Sequence, residues 1–100
     1  MSGGIETLYV ISVAAELAGM HPQTLRQYDR IGLVIPRRTK GRGRRYSAQD
    51  IAELREVQRL SQEEGMNLAG IKQVLKLQRA LSRLAVENQQ LRQRLAIYER

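Results

Sequence analysis

The last quarter of the chain constrains the fold most. Val74, Leu77, Leu81, Leu84, Asn88, Leu91, Leu95 and Tyr98 follow one another in alternating steps of three and four. That is a heptad seam, and a helix brings such positions onto one stripe. At ~1.5 Å per residue the segment would be roughly 35 Å long. Its flanks are Gln, Arg and Glu. The rest of a 100-residue chain is too small to cover that stripe, so the seam calls for a partner helix. We expect Leu77, Leu81, Leu84, Asn88, Leu91, Leu95 and Tyr98 to form the dimerisation surface of a coiled-coil helix over 77–100. Asn88 would set register or orientation there, at some cost in stability. The competing reading is a helix packed on its own domain.

Glycine and proline punctuate what comes before. "LYVI" (8–11) reads as a short strand or an extended lead-in. Ser12 is placed to cap a helix over 13–18, with Val13 and Leu17 on one face. Gly19 ends that helix, and Pro22 suits the first position of the next, where its missing N–H costs nothing. In that second helix (22–31) Leu25 would face inward. Gln23, Thr24, Arg26, Gln27 and Tyr28 would lie outward or at the edge. Gly32 stops it, and Leu33 can fold back. Pro36 keeps 33–38 extended. After a glycine-broken loop, 44–46 can return as a second strand, making a β-hairpin. Ser47 and Asp50 form a weak capping box for a helix to about Glu64, with Ile51, Leu54, Val57 and Leu60 at helical spacing. Gly65 stops it, and Asn67 can cap a further helix carrying Leu68, Ile71, Val74 and Leu75. With four Tyr and no Phe or Trp, the core is expected to be aliphatic.

The helix, short glycine-containing turn and helix, with Ala15 four residues before Gly19, have the spacing of a helix-turn-helix. The small Ala lets the helices approach. Gln, Thr and Arg near the start of the second helix sit where base edges are read in a major groove: Arg suits guanine O6/N7 and Gln suits adenine N6/N7. An ordinary αα-hairpin with a polar outer face is the alternative. The hairpin that follows carries "RRTKGRGRRYS" (37–47), basic at Arg37, Arg38, Lys40, Arg42, Arg44 and Arg45 and without an acid. Alone, such a run is usually a solvated loop. Directly after a candidate recognition helix and between two candidate strands, it is placed as a wing. Arg38, Arg42, Arg44 and Arg45 would then hold phosphates or a minor groove, Gly41 and Gly43 would let backbone approach, and Tyr28 and Tyr46 would each donate a phenol O–H to phosphate. For either Tyr a place at the rim of the core is the alternative. The expected fold is therefore mainly α: a winged helix-turn-helix domain over 8–76 and the coiled-coil helix over 77–100.

Seventeen Lys+Arg against ten Asp+Glu leave a formal charge of +7, which points to a polyanionic partner. The absence of cysteine excludes disulfides, thiolate metal sites and thiol redox sensing. No apolar run approaches the roughly 20 residues of a membrane span, and "MSGGIETLY" lacks the basic and apolar regions of a signal peptide. The cytosol is the expected location, with no membrane partner. His21, the single histidine, reads as a turn residue or helix N-cap rather than a metal ligand. No Ser/His/Asp set, P-loop or GxGxxG is present, so neither catalysis nor a cofactor is expected.

"HPQTLRQYDRIGLVIPRR…GRRYSAQDI" resembles the DNA-binding domain of MerR-type transcription regulators, whose pattern is T-L-R-x-Y-[ED]-x-x-G-L followed by R-x-Y-S-x-x-D. Thr24, Leu25, Arg26, Tyr28, Asp29, Gly32, Leu33, Arg44, Tyr46, Ser47 and Asp50 fall on it. The likeness covers about residues 8–77. "YVISVAAELAGMHPQTLRQYDR" (9–30) and "LSQEEGMNLAGIKQVL" (60–75) look like the heat-shock repressor (HspR-like) branch. The resemblance implies a bacterial, nucleoid-associated homodimer joined by an antiparallel coiled coil. It would repress chaperone operons at inverted repeats, with a DnaK-type chaperone as co-repressor. It also implies recognition-helix roles for Arg26 and Tyr28 and a backbone contact for Arg44. Effector-binding relatives carry a C-terminal ligand domain or metal-binding cysteines. Neither is present in these residues, so metal or small-molecule sensing is not expected. A MerR-type regulator of another regulon, an activator included, and a coiled-coil protein-binding adaptor with incidental basic charge are the alternatives.

Overall fold

The structure, a computed structural model, describes residues 6–41 and 43–99. Its elements are β1 (Leu8–Val10), α1 (Ile11–Ala18), α2 (Pro22–Arg30), β2 (Arg37–Thr39), β3 (Gly43–Ser47), α3 (Ala48–Gln62) and α4 (Leu68–Tyr98). The chain is mainly helical, with a small antiparallel sheet of order β1-β3-β2. It divides into two compact units at the junction of Asn67 and Leu68.

In the first unit the helix-turn-helix forms where Gly19 and Pro22 predict it. Gly19 takes φ 71°, and its N–H closes the end of α1 on the carbonyls of Ala15 and Glu16. His21 is the N-cap of α2: its Nδ1 accepts the Gln23 backbone N–H at 3.1 Å. Leu25 is fully buried, and Leu33 returns onto α2, donating its N–H to the Tyr28 carbonyl at 2.8 Å.

One expectation for α1 is corrected. The helix begins at Ile11 with Val10 as an N-cap that makes no side-chain bond, so Ser12 lies inside it. β1 runs straight into α1 while Val10 is still paired with Arg45, so strand pairing orients the first turn. Val13 and Leu17 share one face, as their spacing predicts, and remain 39 % and 41 % exposed. Ala14, Ala15 and Ala18 are buried instead, because α1 packs on both α2 and α3 and only small side chains allow both approaches. Leu17 contributes its carbonyl, which accepts from Nε and Nη2 of Arg55 on α3 at 3.1 and 2.8 Å. That satisfies one of the orphan acceptors at a helix C-terminus.

The hairpin also forms. β3 is central, pairing Leu8 with Ser47 and Tyr9 with Tyr46 on one side, and Arg37 with Arg45 and Arg38 with Arg44 on the other. It passes into α3 through a complete capping box. The Asp50 N–H donates to Ser47 Oγ at 3.1 Å, and the Ser47 N–H donates to Asp50 Oδ2 at 2.9 Å. Ile51, Leu54, Val57 and Leu60 are buried, as their spacing predicts. The core is not purely aliphatic, however. Tyr46 heads its largest fully buried side chains.

The second unit is one helix of 31 residues, about 46 Å long at 1.5 Å per residue. It runs through positions 76 and 77 without a break. Ile71 and Leu75 are buried, whereas Leu77, Leu81, Leu84, Leu91, Leu95 and Tyr98 are each more than half exposed. Among the described residues no helix is long and apolar enough to cross a membrane.

Candidate nucleic-acid interface

Helix α2 has three faces. At 100° per residue, Leu25 points to the core and Gln23, Gln27 and Arg30 point directly away from it. These three are exposed and Leu25 is buried. Arg26 lies on the shoulder of the outer face, where its Nη1 donates to Gln23 Oε1 at 3.1 Å. The bond lays the guanidinium along the helix beside the Gln23 amide. Gln23, Arg26 and Gln27 thus form one polar surface. Arg30 extends it by a turn, a residue that sequence reasoning did not include. Its spacing from Gln23 and Arg26, seven and four residues, is the signal that would have found it.

Thr24 and Tyr28 belong to a different flank. With Gly19, Met20, Gln58, Ser61 and Gln62 they line an open cleft of about 220 Å³ beside α3. Both are half-buried, and burial raises the Tyr28 phenol pKa above its usual value of 10.0. At 100° per residue Thr24 lies on the opposite shoulder of the outer face from Arg26, and Tyr28 lies beside that face rather than on it.

The wing arginines divide between the two faces of the hairpin. Side chains alternate along a strand, so Arg38 and Arg44 share the face that carries Tyr46, and Arg37 and Arg45 share the other. Arg37 pairs with Glu6. Arg45 is half-buried and donates from Nη1 to the Arg44 carbonyl at 3.0 Å. Arg38 and Arg44 converge on one carboxylate. Asp29 Oδ2 accepts from Arg38 Nη2 at 2.5 Å and from Arg44 Nε at 2.8 Å. The Asp29 side chain is 7 % exposed, against 57 % for Arg38 and 30 % for Arg44. Asp29 is a further member that reading for DNA-contacting side chains missed. It is the sole acid between Glu16 and Asp50, set among cations, and that isolation is its signal.

Tyr46 is corrected. Its ring is fully buried and its hydroxyl is enclosed, with no hydrogen-bond partner among the described residues, because position 46 of β3 faces the core. It has no path to a phosphate and serves packing. Burial and, next, the nearby Asp29 carboxylate raise its pKa above 10.0. Arg42 lies outside the described residues. On either side of it, Gly41 and Gly43 take φ 70° and 72°, and an added Cβ at either would meet nothing within 4 Å. Their need is conformational, and their surroundings are open.

On α4 the seven predicted dimerisation residues share one helix, and all are exposed. Asn88 Oδ1 accepts from Arg92 Nε at 2.7 Å. No three His, Cys, Asp or Glu side chains gather at metal-binding distance among the described residues.

Residues 9–78 match the family model described as MerR HTH family regulatory protein. Over 77 residues, 77 % of its length, the chain is 68 % identical to a Streptomyces coelicolor protein that bears the name heat shock protein HspR, covering 51 % of that protein. It is 40 % identical over 68 residues to the Bacillus cereus HTH-type transcriptional regulator GlnR, covering 68 % of this chain and 52 % of that one. The Myxococcus xanthus HTH-type transcriptional repressor CarH is 41 % identical over 59 residues, 58 % of this chain and 20 % of that protein. The chain therefore spans about half the length, or less, of these curated relatives.

Proposed function

The chain belongs to the MerR HTH family of regulatory proteins, and on that premise we propose that it is a sequence-specific DNA-binding repressor of heat-shock genes that acts as a homodimer on an inverted repeat. One observation carries the DNA-binding part. The outer face of α2 holds Gln23, Arg26, Gln27 and Arg30 together, and the hairpin is tied to the same helix through Asp29. A helix with bidentate-capable side chains beside a cationic hairpin has the parts for base readout and for backbone anchoring. Arg26, Gln23 and Gln27 read bases. Arg38, Arg44 and Arg45 hold phosphates, with Arg42 expected to join them, and Thr24 and Tyr28 flank the reading surface.

The exposed seam of α4 supports the dimer. Two copies present two reading helices, and the operator then mirrors the two-fold axis as an inverted repeat. The heat-shock assignment is supported by likeness to a relative of that name. A DnaK-type chaperone as co-repressor, like the nucleoid location, is implied by the family branch. A MerR-type regulator of another regulon is the second reading, favoured by likeness to the regulator GlnR.

Selection from random duplex DNA at near-physiological salt tests the proposal. An enriched inverted repeat found upstream of chaperone genes supports it in full, and one found upstream of other operons favours the second reading. Binding that collapses as salt rises, with no enriched sequence, refutes both and leaves an electrostatic patch on a coiled-coil adaptor.

A further inference from the structure

Arg38 and Arg44 are directly opposed in the β2–β3 ladder. Like charges at paired positions of an antiparallel sheet repel, so that register carries a cost unless a counter-charge sits against both. Asp29 supplies it from the last turn of α2, through one oxygen bonded to both guanidinium groups. Three separate elements meet at that oxygen, and the carboxylate is almost entirely removed from water. A carboxylate so enclosed is costly to leave unpaired, which makes the contact a strong restraint on the hairpin.

The way each arginine is held matters for what remains of it. Arg44 is engaged through Nε, and its Nη nitrogens make no hydrogen bond among the described residues. With 30 % of its side chain exposed, it can keep the Asp29 contact and still offer its Nη edge to a phosphate. An arginine fixed in this way has lost most of its rotamer freedom before DNA arrives, which lowers the entropy cost of the contact.

We propose that Asp29 is a positioning residue for DNA binding: it locks the wing to the reading helix through Arg38 and Arg44 and presents Arg44 to a backbone phosphate. This role rests on the DNA-binding reading given above. It makes a prediction opposite in sign to simple charge counting. Removing an acid from a cationic surface raises net positive charge and should tighten binding to a polyanion. Losing the lock should weaken it.

The test uses the full chain and its selected operator. Asp29→Asn is expected to bind about tenfold more weakly, the scale of one charge-assisted hydrogen bond's worth of preorganisation, while selecting the same consensus sequence. In the free wild-type protein the Arg44 Nε–H is expected to be protected from solvent exchange by NMR, and Asp29→Asn to remove that protection. Arg44→Lys keeps the cation but lacks Nε–H. It should show a similar loss, and combining it with Asp29→Asn should cost less than the sum of the two, the remainder being the Arg38 contact. Operator binding by Asp29→Asn at or above the wild-type level overturns the proposal. So does an unprotected Arg44 Nε–H in the wild type, a measurement that stands even if the Asn variant fails to fold. A wild-type protein that selects no sequence removes the DNA-binding reading itself, and this role with it, whatever the NMR shows.

Discussion

Tyr46→Phe deletes a single oxygen, and the structure assigns that change a sign. The ring is fully buried and all its packing survives in Phe. The hydroxyl is enclosed and finds no partner among the described residues. An unsatisfied buried hydroxyl costs about 1–3 kcal/mol relative to its hydrated state. Deleting it should therefore leave stability unchanged or raise it by about 1 kcal/mol, against the usual expectation that a core substitution destabilises. For a domain of this size that is a rise of roughly 4–8 °C in Tm. Thermal unfolding by circular dichroism at one fixed protein concentration measures it. The alkaline limb gives a second reading. Burial, with Asp29 next, raises the phenol pKa in the folded state above 10.0. The folded protein thus holds a proton that the unfolded chain releases, and the resulting stability is present below pH 10.0 and lost as pH climbs from there through the folded pKa. Tyr46→Phe should flatten that loss. Tyr28, whose pKa burial also raises, accounts for part of what remains. A destabilisation above about 1 kcal/mol would refute the reasoning, since it would mean that the hydroxyl is bonded in the folded protein. Weaker operator binding at unchanged stability would instead restore Tyr46 as a phosphate donor.

Ser47→Ala removes one of the two capping-box bonds that join β3 to α3. A loss of about 1–2 kcal/mol is expected in chemical denaturation with an unchanged m-value. Leu84→Asp places a charge in the exposed seam of α4. Sedimentation should find monomers, with much weaker operator binding, and tight binding by a monomer would sink the two-half-site arrangement. Arg26→Ala should cost about 1–3 kcal/mol of operator affinity and relax preference at one base pair per half-site. Equal weakening on all sequences would move Arg26 from base readout to backbone contact.

Where one element decides its own conformation, sequence reading succeeds. His21 and Pro22 start α2, Ser47 and Asp50 start α3, and the heptad positions of α4 lie along one exposed stripe. These features depend on spacing within a few residues. Helix α1 is where spacing alone leaves the buried face open. Two stripes are available on it, Val13 with Leu17 and Ala14 with Ala15 and Ala18. Hydrophobicity favours the first, and the closeness of two neighbouring helices selects the second. Position 46 fails for a related reason. Beside arginines and near a turn, a Tyr suits phosphate as well as core, and its orientation follows from β1 pairing Tyr9 with Tyr46 across 37 residues of chain. No local pattern carries that distance.

Asp29 lies between these cases. Its ion pairs reach 9 and 15 residues along the chain, too far for helical spacing to suggest. Yet the hairpin narrows the choice. Once Thr39 is paired with Gly43, Arg38 must oppose Arg44, and two cations facing each other on the core side of a sheet require an anion between them. Between Glu16 and Asp50 the chain offers a single candidate. At 100° per residue Asp29 lies on the flank of α2 opposite Thr24 and Tyr28, away from the α3 cleft. The elimination needs the strand register as its starting point. With that register in hand, charge points to an acid on the reading helix, and the helix position of Asp29 selects it.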